Sequence, residues 1–136
     1  MNEFGPQHER ATIQAFIQKE RQERCLFLLS HPTRRRDFTS QLAHFKWFDP
    51  CWAAPISPKV AHTSDQIAAL LRQKGAGNSV WAISEDPSID AREFPLENAV
   101  KEIWGGSMGT ILSCIPGKLA FFRGEEMKSE LLLMRL

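Results

Sequence analysis

The sequence predicts an α+β fold, with three or four helices packed on an antiparallel sheet that finishes in a C-terminal β-meander. Two observations carry this. Through most of the first hundred residues the apolar side chains recur three and four apart, as in "QIAALL" and "LENAVKEIW", the spacing of one helix face. From Met108 onward the period shortens to that of strands: "MGTILSCI" and "KLAFFRG" flank Pro116-Gly117, and "SELLLMRL" follows. Helices that mostly precede strands, without regular βαβ alternation, define the α+β class. The 136 residues are read as one domain, 1–136, long enough to bury a core.

The first element is an amphipathic helix from residue 7, with Ile13, Phe16 and Ile17 on one face. Its apolar stripe lapses in "QKERQER" (18–24). "CLFLL" (25–29) then reads as strand or as further helix, helix being favoured because no Gly or Asn interrupts the chain before it. Pro32 suits the first turn of a second helix, where its missing N–H is no loss, and Phe38, Leu42 and Phe45 supply its buried stripe. Residues 49–62 hold three prolines and no period, so they read as a long loop.

Thr63 opens the clearest helix start in the chain. Thr63-Ser64-Asp65-Gln66 has capping-box spacing, and Gly75 and Gly77 mark the stop. "SVWAIS" (79–84) reads as a strand and the acidic stretch after it as a loop. A final helix begins near Pro95, with Leu96, Ala99, Val100, Ile103 and Trp104 on one face. In the strand region, Gly109 is read as a place where backbone passes close to a neighbour. Pro116-Gly117 fits a type II turn, which needs a bulge or a longer loop to serve a hairpin. Thr110, Leu112 and Cys114 alternate with Ile111, Ser113 and Ile115. Both sets are largely apolar, so this strand is expected at the centre of the sheet, covered on both faces. Residues 129–136 are too apolar to face water and must be covered by the core or by a second chain.

Composition excludes several classes of function. Net charge is +1, so no global field draws the chain to nucleic acid or to a membrane surface. The longest uninterrupted apolar run, Cys25 to Leu29, is far too short to span a bilayer, and the first residues lack the basic-then-apolar pattern of a targeting signal. Three widely spaced cysteines with no CxxC pair point away from zinc ribbons and dithiol redox motifs, and toward a reduced, cytoplasmic protein. "GGSMGT" (105–110) lacks the glycine spacing and the lysine of a phosphate-binding loop, and it follows a helix instead of a strand. Ser113 lacks the GxSxG context of a hydrolase nucleophile. Cys114 is read as a small buried hydrophobe. Nothing in the spacing of His8, His31, His44 or His62 nominates a general base or a pair of metal ligands.

Three features keep some chemical content. Arg34, Arg35 and Arg36 lie at a helix start, where cations oppose the helix dipole, and they form a candidate anion-binding site. With Lys46, Trp47 and Trp52 they also interleave charge and aromatic rings as a weak nucleic-acid surface would. Trp47 and Trp52, near the long loop, are candidate partner contacts. Glu85, Asp86, Asp90, Glu93 and Glu97 follow a strand, and between residues 85 and 102 six acids face only two bases. A metal-dependent hydrolase would draw its catalytic carboxylates from Asp86, Asp90 and Glu93, although no EF-hand spacing is present. Because no motif with catalytic spacing survives, the first functional expectation is a non-catalytic interaction or regulatory module. It needs no cofactor or metal, and it has a protein partner or a second copy of itself. The small hydrolase is the alternative, and weak nucleic-acid binding is the second alternative.

Overall fold

A computed structural model of the chain describes residues 4–104, 106, 108–125 and 130–135. The elements run α1 (Phe4–Phe16), α2 (Lys19–Ser30), α3 (Arg35–Thr39), a 3-10 turn at Leu42–His44, β1 (Ala53–Pro55), α4 (Ser64–Gln73), β2 (Ser79–Ser84), β3 (Arg92–Pro95), α5 (Leu96–Trp104), β4 (Thr110–Ile115), β5 (Leu119–Arg123) and β6 (Glu130–Met134). All the strands join one antiparallel sheet in the order β1-β6-β5-β4-β2-β3. The fold is α+β, and β4 to β6 form the expected meander.

Among the described residues five α-helices form instead of three or four, for a reason remote in sequence. Residues 47–49 lie beside residues 16–18 and take their backbone groups. Gln18 N donates to Trp47 O at 2.8 Å, Asp49 N donates to Phe16 O at 2.8 Å, and Ile17 bridges to Phe48. The first helix therefore ends at Phe16, and a new one begins at Lys19. Residues 25–29 lie within that second helix, which settles the helix-or-strand ambiguity. The helix expected after Pro32 stops at Thr39. Its stripe survives, since Phe38 and Leu42 are fully buried. Two strands fall where loops were expected: β1 inside 49–62, and β3 inside the acidic stretch. Both are edge strands, of three and four residues, and both end on a proline. Short edges capped by proline resist pairing with another sheet.

Strand parity divides the core into two layers. Val80, Ala82, Leu112, Cys114, Leu119 and Phe121 pack with Ile67 and Leu71 of α4 and with Leu96, Val100 and Ile103 of α5. The alternate residues Ile83, Ile111, Ala120, Phe122 and Leu133 pack with Ile13, Phe16, Cys25, Leu28 and Phe38 from α1 to α3. The sheet is thus covered on both faces, and β4 lies inside it as its composition predicts. Ile115 departs from the alternation, because the register shifts between Ser113 and Ile115 and returns it to the α4–α5 side. The turn of residues 116–118 closes with Lys118 N donating to Ile115 O at 2.9 Å, and Gly117 takes the positive φ of 72° that a type II turn requires.

Local signals fare well. The Thr63 side chain accepts from Gln66 N at 3.2 Å, capping α4, while the Gln66 carboxamide returns to His62 N at 2.9 Å, one residue earlier than in the standard box. Arg72 pairs with Glu97 to tie α4 to α5, holding the Glu97 carboxyl down at about 2. At the other end of α5, Arg123 donates to the carbonyls of Ile103 and Trp104 and lies over the Trp104 ring, satisfying a helix C-terminus. Residues 130–134 of the apolar C-terminal segment form β6, an internal strand between β5 and β1, with Leu133 fully buried. Residues 129 and 136 lie outside the described residues.

Burial pushes the Cys114 thiol up to about 12 and the Cys25 thiol up to about 11. Cys51 is the exposed cysteine. A thiol reagent at neutral pH should therefore modify Cys51 in the native protein and reach Cys25 and Cys114 only on unfolding. Rapid native labelling of Cys114 would overturn its placement in the core.

Candidate functional site

Consecutive residues of a helix point about 100° apart, and the three arginines at the start of α3 go three ways. Arg34 turns outward to Asp37, 2.7 Å away on its own helix. Arg36 reaches across to the carbonyl of Glu85 at 2.6 Å. Arg35 turns inward and meets acids from two distant parts of the chain.

Its Nε donates to Asp90 Oδ2 at 2.7 Å, and its Nη2 donates to Asp90 Oδ1 at 3.0 Å and to Glu9 Oε2 at 2.6 Å. Nη1 donates to Glu9 Oε1 at 2.9 Å and to the Leu29 carbonyl at 3.4 Å. A guanidinium has five N–H groups, and here all five are engaged. Burial works against the charge of Arg35, but the hydrogen bonds and charges of Asp90 and Glu9 outweigh it and raise the pKa above its ordinary value. Both carboxylates are fixed in turn. Glu9 Oε2 also accepts from the Trp81 indole at 2.8 Å, and Asp90 Oδ1 from Ser84 N at 3.0 Å. The cluster joins α1, α3, β2 and the β2–β3 connection. Next to Asp90, Ala91 has φ of 58°, a conformation uncommon outside glycine, and its N–H reaches Ala82 O. This left-handed residue lies between the inward-pointing Asp90 and the start of β3.

Above the cluster lies a cleft of about 760 Å³. Pro6, Leu26, Phe27, Leu29 and Trp81 supply its apolar walls, and the exposed Arg10 and Glu23 supply its unpaired charges. Phe27 is 41% exposed, and among the described residues it is the one aromatic of the exposed large hydrophobic side chains. Its ring stacks on His31, with the guanidiniums of Arg24 and Arg34 about it at 5.8 and 6.0 Å.

The other residues singled out from the sequence lie apart from this cleft. Asp86 accepts from the backbone N and the hydroxyl of Ser88, closing its own turn. Glu93 is exposed on edge strand β3. Asp86, Asp90 and Glu93 do not converge, and among the described residues no three His, Cys, Asp or Glu side chains gather as a metal site would need. Trp47 is half-buried with Arg21 over its ring, and Trp52 is half-buried with Arg135 over its ring. Two of the arginines do reach the acidic stretch, Arg35 at the Asp90 carboxylate and Arg36 at the Glu85 carbonyl.

A second pair escaped sequence reasoning altogether. His8 of α1 and Ser113 of β4 share a buried hydrogen bond, Nδ1 to Oγ, of 2.6 Å. They are 2% and 0% exposed, and the Phe4 ring lies against the imidazole at a tilt of 50°. Ser113 faces Trp81 across the sheet, and Trp81 in turn faces Glu93. The signal that could have pointed to the Arg35 cluster was a run of bases in one segment and of acids in another. Nothing local marked His8.

Compared with family models, curated proteins and solved structures, the chain matches none of them. Among the described residues no helix is long and apolar enough to cross a membrane.

Proposed function

We propose that this chain is a non-catalytic interaction module, working in the cytoplasm, that holds a partner protein at the α1–α2 cleft. The observation that carries this reading is the saturation of Arg35. All five of its donors are spent inside the protein, and both acids beside it are spent with it. What the cleft offers a ligand is an apolar surface, a protruding Phe27 ring, and one charge of each sign, Arg10 and Glu23. That combination suits an apolar side chain from a partner segment, with polar groups on either side of it. Free cysteines at 25, 51 and 114 agree with a reducing compartment.

A photo-activatable cross-linking residue at position 27, compared with one at Val60, tests the reading in cells. Val60 is also exposed, at 63%, and does not line the cleft. Position 27 is expected to give one defined cross-linked product that Leu26→Asp abolishes, while position 60 gives none. The mass of the product distinguishes a different protein from a second copy of the chain. Identical products from both positions would overturn the reading. The metal-dependent alternative has its own assay. Binding at 100 times Kd adds about 2.7 kcal/mol, several degrees in Tm. Millimolar Mg²⁺, Mn²⁺, Ca²⁺ or Zn²⁺ is expected to give no such rise. A rise abolished by Asp86→Ala would favour a hydrolase instead.

A further inference from the structure

His8 lies in the second turn of α1 with its ring almost wholly out of water, between the Ser113 hydroxyl below and the Phe4 ring beside it. Phe4 also meets the Trp81 ring edge-on, with centroids 6.0 Å apart. Gly5 approaches Trp81 so closely that a methyl group there would overlap the indole. The start of α1 is thus seated on the Trp81 ring and, through His8, on the Ser113 hydroxyl. Trp81 and Pro6, from the two sides of that contact, also line the cleft.

The charged groups around the imidazole are few. From β3, Glu93 exerts a charge on it. From β2 and β4 come Trp81 and Ser113, which carry no charge. On α1 itself the neighbouring Glu9 is committed to Arg35 and Trp81. Burial lowers the pKa of His8 below its ordinary 6.5, with Glu93 acting in the opposite direction. A neutral ring fits this site: one nitrogen shares the hydrogen bond with Ser113, and the rest packs against aromatic surface. An imidazolium keeps that bond but places a charge out of water, and it recovers hydration only if the helix start lifts.

We propose that His8 is a proton-sensitive latch, whose neutral form holds residues 4–8 down on Trp81 and whose protonation releases them, N-terminal to the anchored Glu9, and reshapes the cleft wall at Pro6. The consequence for binding rests on the cleft being the partner site, while the latch itself does not. The sign follows from linkage. A histidine whose pKa is depressed in the closed form leaves closure at full strength above about pH 6.5, and closure weakens as pH falls below that value, because the open form takes up the proton. The open population therefore rises between pH 8 and pH 5, by at most about 30-fold, the ceiling set by an ordinary histidine pKa in the open form.

Amide hydrogen exchange of His8, Glu9 and Arg10, corrected for the intrinsic pH dependence of exchange, reads this opening directly. In the wild-type protein their protection is expected to fall by up to about 30-fold between pH 8 and pH 5, while amides of α5 keep theirs. The His8→Asn variant keeps a hydrogen-bonding group near Ser113 without titrating, and it should show no such fall. Constant protection in the wild type, or the same fall in the variant, would overturn the latch. If the variant does not fold, the His8 ring resonances of the wild type decide the matter: their titration midpoint must lie below the ordinary 6.5, and a midpoint at or above that value overturns the proposal. No partner enters the measurement, so its outcome is separate from that of the cross-linking experiment.

Discussion

Replacing Arg35 by Met should destabilise the protein by about 3 kcal/mol, a large share of the 5–15 kcal/mol typical of a domain. The loss comes less from the missing attraction than from what remains. Glu9 and Asp90 would be left as two like charges in a site where their side chains are only 13% and 14% exposed. Removing one partner of a buried ion pair costs about 3–5 kcal/mol, and the partial exposure here argues for the lower end. Tm should fall by roughly 10 °C at this chain length. Glu9→Gln and Asp90→Asn added to Arg35→Met should recover much of the deficit, since the stranded charges are then gone. Chemical denaturation of the single and triple variants measures both effects. A deficit below about 0.5 kcal/mol, the scale of an ordinary surface substitution, would mean that the cluster is not what joins α1 and α3 to the sheet.

Gly109→Ala should be comparably severe, by a different route. Gly109 lies just before β4, its carbonyl accepting from Glu85 N at 2.9 Å and its N–H donating to Glu85 Oε1 at 3.3 Å. On its open side it faces main chain: a methyl group there would overlap the Leu42 carbonyl and Ala43 N. A flexible side chain could swing away, but two backbone segments can separate only by moving the 3-10 turn, and with it the fully buried Leu42. Overpacking typically costs about 1–3 kcal/mol, and backbone against backbone belongs at the upper end or beyond. Gly77→Ala is the control, with no atom within 4 Å of the added methyl and no positive φ. It should be neutral or slightly stabilising, by up to about 1 kcal/mol. Equal effects in the two variants would show that chain entropy, not close approach, governs position 109.

These cases also show what could be read from the sequence. The cap at Thr63 and the turn at Pro116-Gly117 are each encoded within a few residues and appear where the residue types require them, and Gly109 marks a close approach without naming its distant partner. The alternation of β4 was legible too, up to the bulge that turns Ile115. Features decided by distant partners were not. The break after Phe16 depends on Trp47 and Asp49. The strand at Arg92–Pro95 depends on β2, and nothing within "REFP" distinguishes it from the acidic loop around it. The candidate site follows the same rule. Arg35 stood out as one of three adjacent arginines, but its acids lie at positions 9 and 90, and no local pattern sets it apart from Arg34 and Arg36. His8 and Ser113 are farther apart still, and neither residue type is unusual where it stands.

The position of β6 bears on the order in which the molecule can be assembled. β1 has a single neighbour in the sheet, β6, with Ala53 opposite Leu133. During synthesis β1 emerges early and waits without a partner while α4, α5 and four more strands follow. The β2–β3 and β4–β5 pairs can form as they leave the ribosome, because each joins segments close in sequence. The β1 edge cannot close until residues 131–133 are available. Closing so long a loop comes late and carries a large entropic barrier. In the interval the apolar faces of β5 and of the region around Trp52 stay open to water, the stage at which a nascent chain of this design is most in need of a chaperone.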